Sequence, residues 1–265
     1  MIGGVCLPLV ITIAGSPSAP AVMLCPGLGM AASSWRRVER DLAADHAVVT
    51  YDRPGLGRQR HRRPLHPPTL DGEMARLGLA LRAVDAVAGH APAEHVVPAV
   101  LVAHSMAAFW VEAWARIYPE TVRGLVFVDA SIEETPAPRS GVWTSLRAGV
   151  GALAAVMPGP MRTGGAALLE DAAYHGMAAD LEVIRGNHPL PCVPIVLLAA
   201  TVTGATRWER RRLGRQKAWA RRLETEQLGR GSQVRYEVVR RSGHRVMRDA
   251  PERICSAVRS LTTDR

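Results

Sequence analysis

Val102-Ala103-His104-Ser105-Met106-Ala107-Ala108 sets one serine between two runs of different habit. The run before it, Ala99-Val100-Leu101-Val102, is short and apolar, as a buried strand is. The run after it, Ala107 to Tyr118, has the length and spacing of a helix. A serine on a sharp strand-to-helix turn projects its hydroxyl out of the sheet, where it can act as a nucleophile. The turn crowds the backbone two residues to either side, so small residues are needed there. The usual glycines are alanines here, Ala103 and Ala107. A serine capping a helix would give a similar pattern, so the rest of the chain decides.

A catalytic serine needs a base from elsewhere in the fold. Arg241-Ser242-Gly243-His244-Arg245-Val246 follows a strand-like run, Gln233 to Val239, and precedes a helix that starts near Pro251 and runs from Glu252 to Leu261. Of the nine histidines only His244 has this strand, Ser-Gly-His, helix setting. A third element lies near the start. Ala21 to Cys25 reads as a buried strand, followed by the loop Pro26-Gly27-Leu28-Gly29-Met30 and a helix opening at Ser33-Ser34-Trp35. A glycine loop after a strand lets backbone N–H groups turn toward a developing negative charge. An ordinary strand-to-helix turn would use glycine equally well.

In this order the three elements resemble the α/β-hydrolase superfamily, over nearly the whole chain. Val48-Val49-Thr50-Tyr51-Asp52-Arg53-Pro54-Gly55-Leu56-Gly57 looks like its second core strand and D-R-P-G-x-G turn. Gly124 to Ala130 looks like the strand after the nucleophile helix, and Val193 to Ala199 like the penultimate strand. The resemblance implies an α/β fold, a mostly parallel doubly wound sheet with a helical cap insertion. It implies Ser105 as nucleophile, His244 as base, and the Leu28 and Met106 amides as oxyanion hole. The first loop departs from the family in having Pro26-Gly27 where His-Gly is usual.

A larger departure concerns the acid. Most members keep an Asp in the loop after the penultimate strand, but Ala199-Ala200-Thr201-Val202-Thr203-Gly204 holds no carboxylate. Some relatives, certain haloalkane dehalogenases among them, carry the acid at the end of the strand after the nucleophile helix. Asp129 stands at that place, with Glu133 and Glu134 as further candidates.

A chain of 265 residues can bury about three-quarters of its unfolded surface as a single domain. Strands are expected near 5–14, 21–25, 46–51, 99–104, 124–129, 193–199 and 233–240, and helices near 34–44, 70–89, 107–117, 207–228 and 251–261. This alternation argues for a parallel sheet covered on both faces. It breaks between Ser131 and Leu190, where two helical pieces, Val142 to Met157 and Gly165 to Arg185, are split by Pro158-Gly159-Pro160. The expected organisation is one domain, with its core at 1–130 and 191–265 and the cap at about 131–190. Trp143, Leu146, Val150, Leu153, Val156, Met157, Met161, Leu168, Leu169, Met177 and Leu181 are expected to pack the cap on the core or line an apolar pocket.

The net charge of +9 comes almost wholly from arginine, since Lys217 is the single lysine. Arginines cluster at Arg207 to Arg212, at Arg215, Arg221 and Arg222, and at Arg58 to Arg63. Glu209, Glu224 and Glu226 interleave the run and no nucleic-acid motif accompanies it, so nucleic acid is not an expected partner. Any electrostatic role would be attraction of anionic substrates or membrane surfaces. Cys6, Cys25, Cys192 and Cys255 lack metal-ligand spacing. Cys25 and Cys192 sit in apolar strand contexts and read as buried thiols of a reducing compartment. Val5 to Ala14 reads as a first strand, because no positive charge precedes it as in a signal peptide. No run has the length and apolarity of a membrane span.

The expectation is a cytoplasmic serine hydrolase of a small to medium, largely apolar ester, with a small-molecule substrate and neither metal nor organic cofactor. Lactone, amide or C–C bond hydrolysis, or perhydrolysis, would use the same triad. A non-catalytic binding protein on this fold is the other class, motivated by the two alanines and the missing usual acid.

Overall fold

Continuous apolar runs with both faces covered make parallel strands. The computed structural model describes residues 9–64, 66–87, 98–132, 141–228, 231 and 233–262. Its strands are β1 (Val10–Ala14), β2 (Ala21–Cys25), β3 (Ala47–Asp52), β4 (Ala99–His104), β5 (Val122–Val128), β6 (Ile195–Thr201) and β7 (Val234–Arg240). They form one sheet in the order β1-β3-β2-β4-β5-β6-β7, parallel throughout except that β1 runs antiparallel to β3. The inner strands β2, β3, β4 and β6 are buried along their full length, whereas β1 and β7 at the edges are largely half-buried.

From β2 the chain goes to β3 on one side and returns to β4 on the other. The order therefore reverses between β2 and β4. Open α/β sheets bind ligands at such a reversal, outside the carboxyl ends of the strands. The Pro26–Met30 loop leaves β2 there, and Ser105 leaves β4 there.

The helices are α1 (Arg36–Leu42), α2 (Leu70–Val87), α3 (Ala107–Ile117), α4 (Gly141–Val156), α5 (Pro160–Asn187), α6 (Arg207–Glu226), α7 (Val246–Asp249) and α8 (Pro251–Thr262). Side chains alternate across each strand, so the sheet feeds two cores. Val22, Leu24, Val100 and Val102 pack with Trp35, Leu42, Ile254 and Val258 of α1, α8 and the turn before α1. Met23, Leu101 and Ala103 pack with Leu77, Trp110, Leu181 and Trp219 of α2, α3, α5 and α6.

Between β5 and β6 stand α4 and α5, where a helical insertion is expected, separated at Gly159, which takes φ +64°. Their packing corrects the sequence reading of this segment. A Cβ on Gly165 would lie 2.4 Å from the Ala155 nitrogen and 2.6 Å from the Gly151 carbonyl oxygen. The two helices thus touch backbone to backbone through small residues. This turns the bulky residues of α4 outward. Leu146, Val150, Leu153, Val156 and Met157 are exposed, as is Met161 at the start of α5, while Leu169, Met177 and Leu181 of α5 are buried. The Trp143 side chain lies outside the description. Cys192 is also exposed, because it sits on the turn before β6 and not in the strand; Cys25 and Cys255 are buried.

α5 is held to α3 by charge. Glu112, 1% exposed, accepts from Arg116 at 3.0 Å and from Arg185 of α5 at 2.6 Å. Arg116 also reaches Glu226 at 2.6 Å. Breaking a buried pair by removing one member is costly, so this network ties α5 to α3 and α3 to the end of α6.

Candidate active site

Ser105 sits on the turn between β4 and α3 with φ +53°, a left-handed conformation unusual for a residue other than glycine. Such strain, on the order of 1–3 kcal/mol, persists only where the surroundings over-determine it. Here the Ser105 N–H donates to the Val128 carbonyl at 3.2 Å, and the Ser105 carbonyl accepts from Ser131 N–H at 3.0 Å. Ala103 and Ala107 are fully buried beside it, so the turn accommodates both extra methyls.

The Pro26–Met30 loop lies directly against this serine. A Cβ on Gly27 would sit 2.9 Å from the Ser105 Cβ and 2.7 Å from His104 Nδ1. Only glycine permits that approach. Arg53, buried at the end of β3, donates to the Pro26 and Gly27 carbonyls at 2.7 Å each. In a trans peptide the carbonyl and the following N–H point opposite ways. Drawing the Gly27 carbonyl toward Arg53 therefore turns the Leu28 N–H away from it. Glu170 of α5 completes the clamp. It accepts from Arg53 Nε at 2.6 Å and from the Gly29 N–H at 2.7 Å.

This clamp yields a prediction. Arg53→Met orphans a buried carboxylate and should cost about 3–5 kcal/mol in denaturant unfolding. Adding Glu170→Gln should recover much of that loss, while kcat stays low because the loop carbonyls remain unheld. An unchanged unfolding midpoint in Arg53→Met would show that the pair is not the clamp.

Asp129 follows β5 with φ +42° and is 2% exposed. Its Oδ2 is 2.6 Å from His244 Nδ1 and also accepts from Arg212 of α6. Its Oδ1 accepts from the Ala200 N–H and from Gln216 Nε2, both at 3.1 Å. Burial pushes the Asp129 carboxyl up, but the hydrogen bond from His244 and the Arg212 charge together hold it below the ordinary carboxylate range.

The His244 loop is pinned on three sides. Ser242 N–H donates to the Thr201 carbonyl at 3.2 Å, and Gly243 N–H to Asp249 at 2.9 Å. His104 Nε2 donates to the His244 carbonyl at 2.8 Å. Burial, then the charge of His244, pushes His104 down to about 4, so it stays neutral at physiological pH. The His244 side chain is 54% exposed and can meet a ligand.

Ser105 Oγ hydrogen-bonds to Ser131 Oγ at 3.4 Å and, among the described residues, makes no bond to His244. Leu28, Asp129, Ser131 and His244 line a cavity of about 690 Å³. The insert contributes Asp171, Tyr174 and His175 to its wall, and, among the described side chains, none of the apolar insert residues named from the sequence. Glu133 and Glu134 lie outside the described residues.

Sequence reasoning missed Ser131, Arg53, Glu170, Arg212 and Gln216. The last two have a legible signal, a four-residue spacing that puts both on one face of α6. The loop after β6, where an acid is usual, is instead tied to Glu209, which accepts from Thr201 Oγ1 and Val202 N–H at 2.9 Å each. Among the described residues no cluster of three His, Cys, Asp or Glu could hold a metal ion. No described helix is long and apolar enough to cross a membrane.

A model of the alpha/beta hydrolase family matches residues 22–257. The chain belongs to this family. Several solved α/β hydrolases share its fold. A thermophilic esterase from Thermogutta terrifontis is 18% identical, with TM-score 0.67, over 96% of this chain and 94% of that one. The thioesterase domain from the curacin biosynthetic pathway is 18% identical with TM-score 0.65, over 94% of each chain. Cfl2 from Burkholderia cenocepacia is 18% identical with TM-score 0.65, over 96% of this chain and 92% of that one. Among curated sequences, polyketide synthase ThaQ of Burkholderia thailandensis is 34% identical over 110 residues, which are 42% of this chain and 5% of that protein. Hydrolase activity in general is what the family supports.

Proposed function

We propose that this α/β hydrolase is a serine hydrolase that cleaves a small to medium, largely apolar ester through an acyl-enzyme. The observation that carries the reading is the 2.6 Å contact between His244 Nδ1 and Asp129 Oδ2, beside a serine held in a left-handed turn. A carboxylate on Nδ1 leaves Nε2 free to take a proton and stabilises the imidazolium that results. Ser105 Oγ attacks the ester carbonyl carbon, and its proton passes to His244 Nε2. The Leu28 and Met106 N–H groups receive the oxyanion. Collapse expels the alcohol, which takes the proton from His244. Water then attacks the acyl-enzyme by the same path, giving the acid and restoring Ser105. The Ser105 hydroxyl turns from Ser131 to His244 when substrate binds, as catalytic hydrogen bonds often tighten only in the complex.

Leu28, Ile132, Tyr174, Val202 and Trp208 supply the apolar part of the cavity wall. On para-nitrophenyl esters kcat/KM should pass through a broad optimum of acyl length, since each methylene is worth only about 1–3 kcal/mol. Ile132→Phe should move that optimum to shorter chains. An optimum that ignores this substitution would place the acyl chain elsewhere. The likeness to a polyketide synthase segment and to a thioesterase domain favours one second reading, an acyl thioester substrate. An acyl-N-acetylcysteamine in the same panel distinguishes it by its kcat/KM relative to the matched oxygen ester.

A further inference from the structure

The charged side chains around the 690 Å³ cavity do not balance one another. Asp129 is taken by His244, Arg212, Ala200 and Gln216. Asp171 is paired with Arg147 at 2.5 Å. Glu209 is occupied by the Thr201–Thr206 loop, with bonds at 2.9 Å from Thr201 Oγ1 and 2.8 Å from Thr203 Oγ1. Of the two guanidiniums, Arg212 holds Asp129 and the Ala200 carbonyl and lies over the Trp208 ring at 5.1 Å. Arg215, one turn further along α6, lines the same cavity and has no hydrogen bond or ion pair among the described residues. It follows Arg212 by three residues and Trp208 by seven, so all three share one helix face. The arginine run of α6 thus presents one uncommitted guanidinium, exposed to solvent, on the wall of the candidate active-site cavity.

We propose that Arg215 binds an anionic group of the substrate, so that the preferred esters carry a carboxylate. This rests on the reading of Ser105 as nucleophile. An arginine fork donates to both oxygens of a carboxylate, the geometry in which an exposed ion pair contributes.

The test compares three esters of similar size: para-nitrophenyl butyrate, mono-para-nitrophenyl glutarate with the anion on the acyl side, and 4-butyryloxybenzoate with the anion on the leaving group. At low salt, wild-type kcat/KM should favour one of the anionic esters over the neutral one by about tenfold, as hydrogen bonds to charged groups do. The preference should shrink with added sodium chloride, because a cavity open to solvent is screened. In Arg215→Ala the anionic-to-neutral ratio should fall to near one, and in Arg215→Glu below one. A wild-type ratio of one, or a preference that survives in Arg215→Ala, overturns the proposal while leaving the hydrolase reading intact. Calorimetric titration of glutarate into wild type, Ser105→Ala and Arg215→Ala works without turnover. Binding by the first two and its loss in the third supports the proposal even if no ester is cleaved. Absence of binding by wild type, or equal binding by all three, overturns it.

Discussion

His244→Ala is expected to lower kcat by about three orders of magnitude or more, the usual loss when the base of such a triad is removed. The fold should survive, because the His244 side chain is more than half exposed and its loop is held by backbone contacts at Ser242 and Gly243. In wild type, kcat/KM should rise with pH through one ionisation, since only a neutral imidazole accepts the Ser105 proton. The other histidine in the site does not blur that limb. Burial and the neighbouring His244 push His104 down to about 4, so it is already neutral where the rate climbs. Asp129 does not blur it either, because its carboxyl is held below the ordinary range and stays ionised across the climb. Survival of the limb in His244→Ala would assign it, and the base, to another group.

Asp129→Asn should cut kcat by about four orders of magnitude, because an amide facing Nδ1 favours the wrong imidazole tautomer. The substitution keeps size and leaves the Oδ1 acceptor for Ala200 and Gln216. It also removes the charge that Arg212 meets, so some stability should be lost with it. An unpaired buried polar group costs about 1–3 kcal/mol, and a charged one more. Circular dichroism and denaturant unfolding separate that loss from the catalytic one. A variant that unfolds at the wild-type midpoint yet keeps a tenth of wild-type kcat would move the acid elsewhere, with Glu133 and Glu134 the next to test.

What could be read from the chain follows from the range of the interactions involved. β2, β4 and β6 announce themselves because covering both faces leaves no polar alternation. The Ser105 turn is legible because a strand, a serine flanked by small residues and a helix are contiguous. The setting of His244 is local too. The arrangement around them is not. Arg53 and Glu170 meet across 117 residues, and Arg212 and Asp129 across 83. Each sequence neighbourhood shows only an ordinary charged residue. The outward turn of the α4 hydrophobes was hidden for a related reason. An apolar stripe on a helix suggests a buried face, but the Gly151–Gly165 contact chose the small-residue face instead. The usual acid position is empty of carboxylate in the sequence itself, and the Thr206–Glu209 capping box is a legible helix start, but the further bonds from Glu209 to Thr201 and Val202 belong to the folded loop.

The central claim is that Ser105 is an activated nucleophile and not a helix cap on a binding protein. A fluorophosphonate probe tests it most directly, because it reacts with a serine only when base and oxyanion donors are in place. Wild-type protein should be labelled stoichiometrically, with the added mass on the peptide that carries Ser105. Ser105→Ala should not be labelled, and His244→Ala should react far more slowly. Wild-type protein that hydrolyses esters without labelling, or Ser105→Ala that still labels stoichiometrically, would contradict the account.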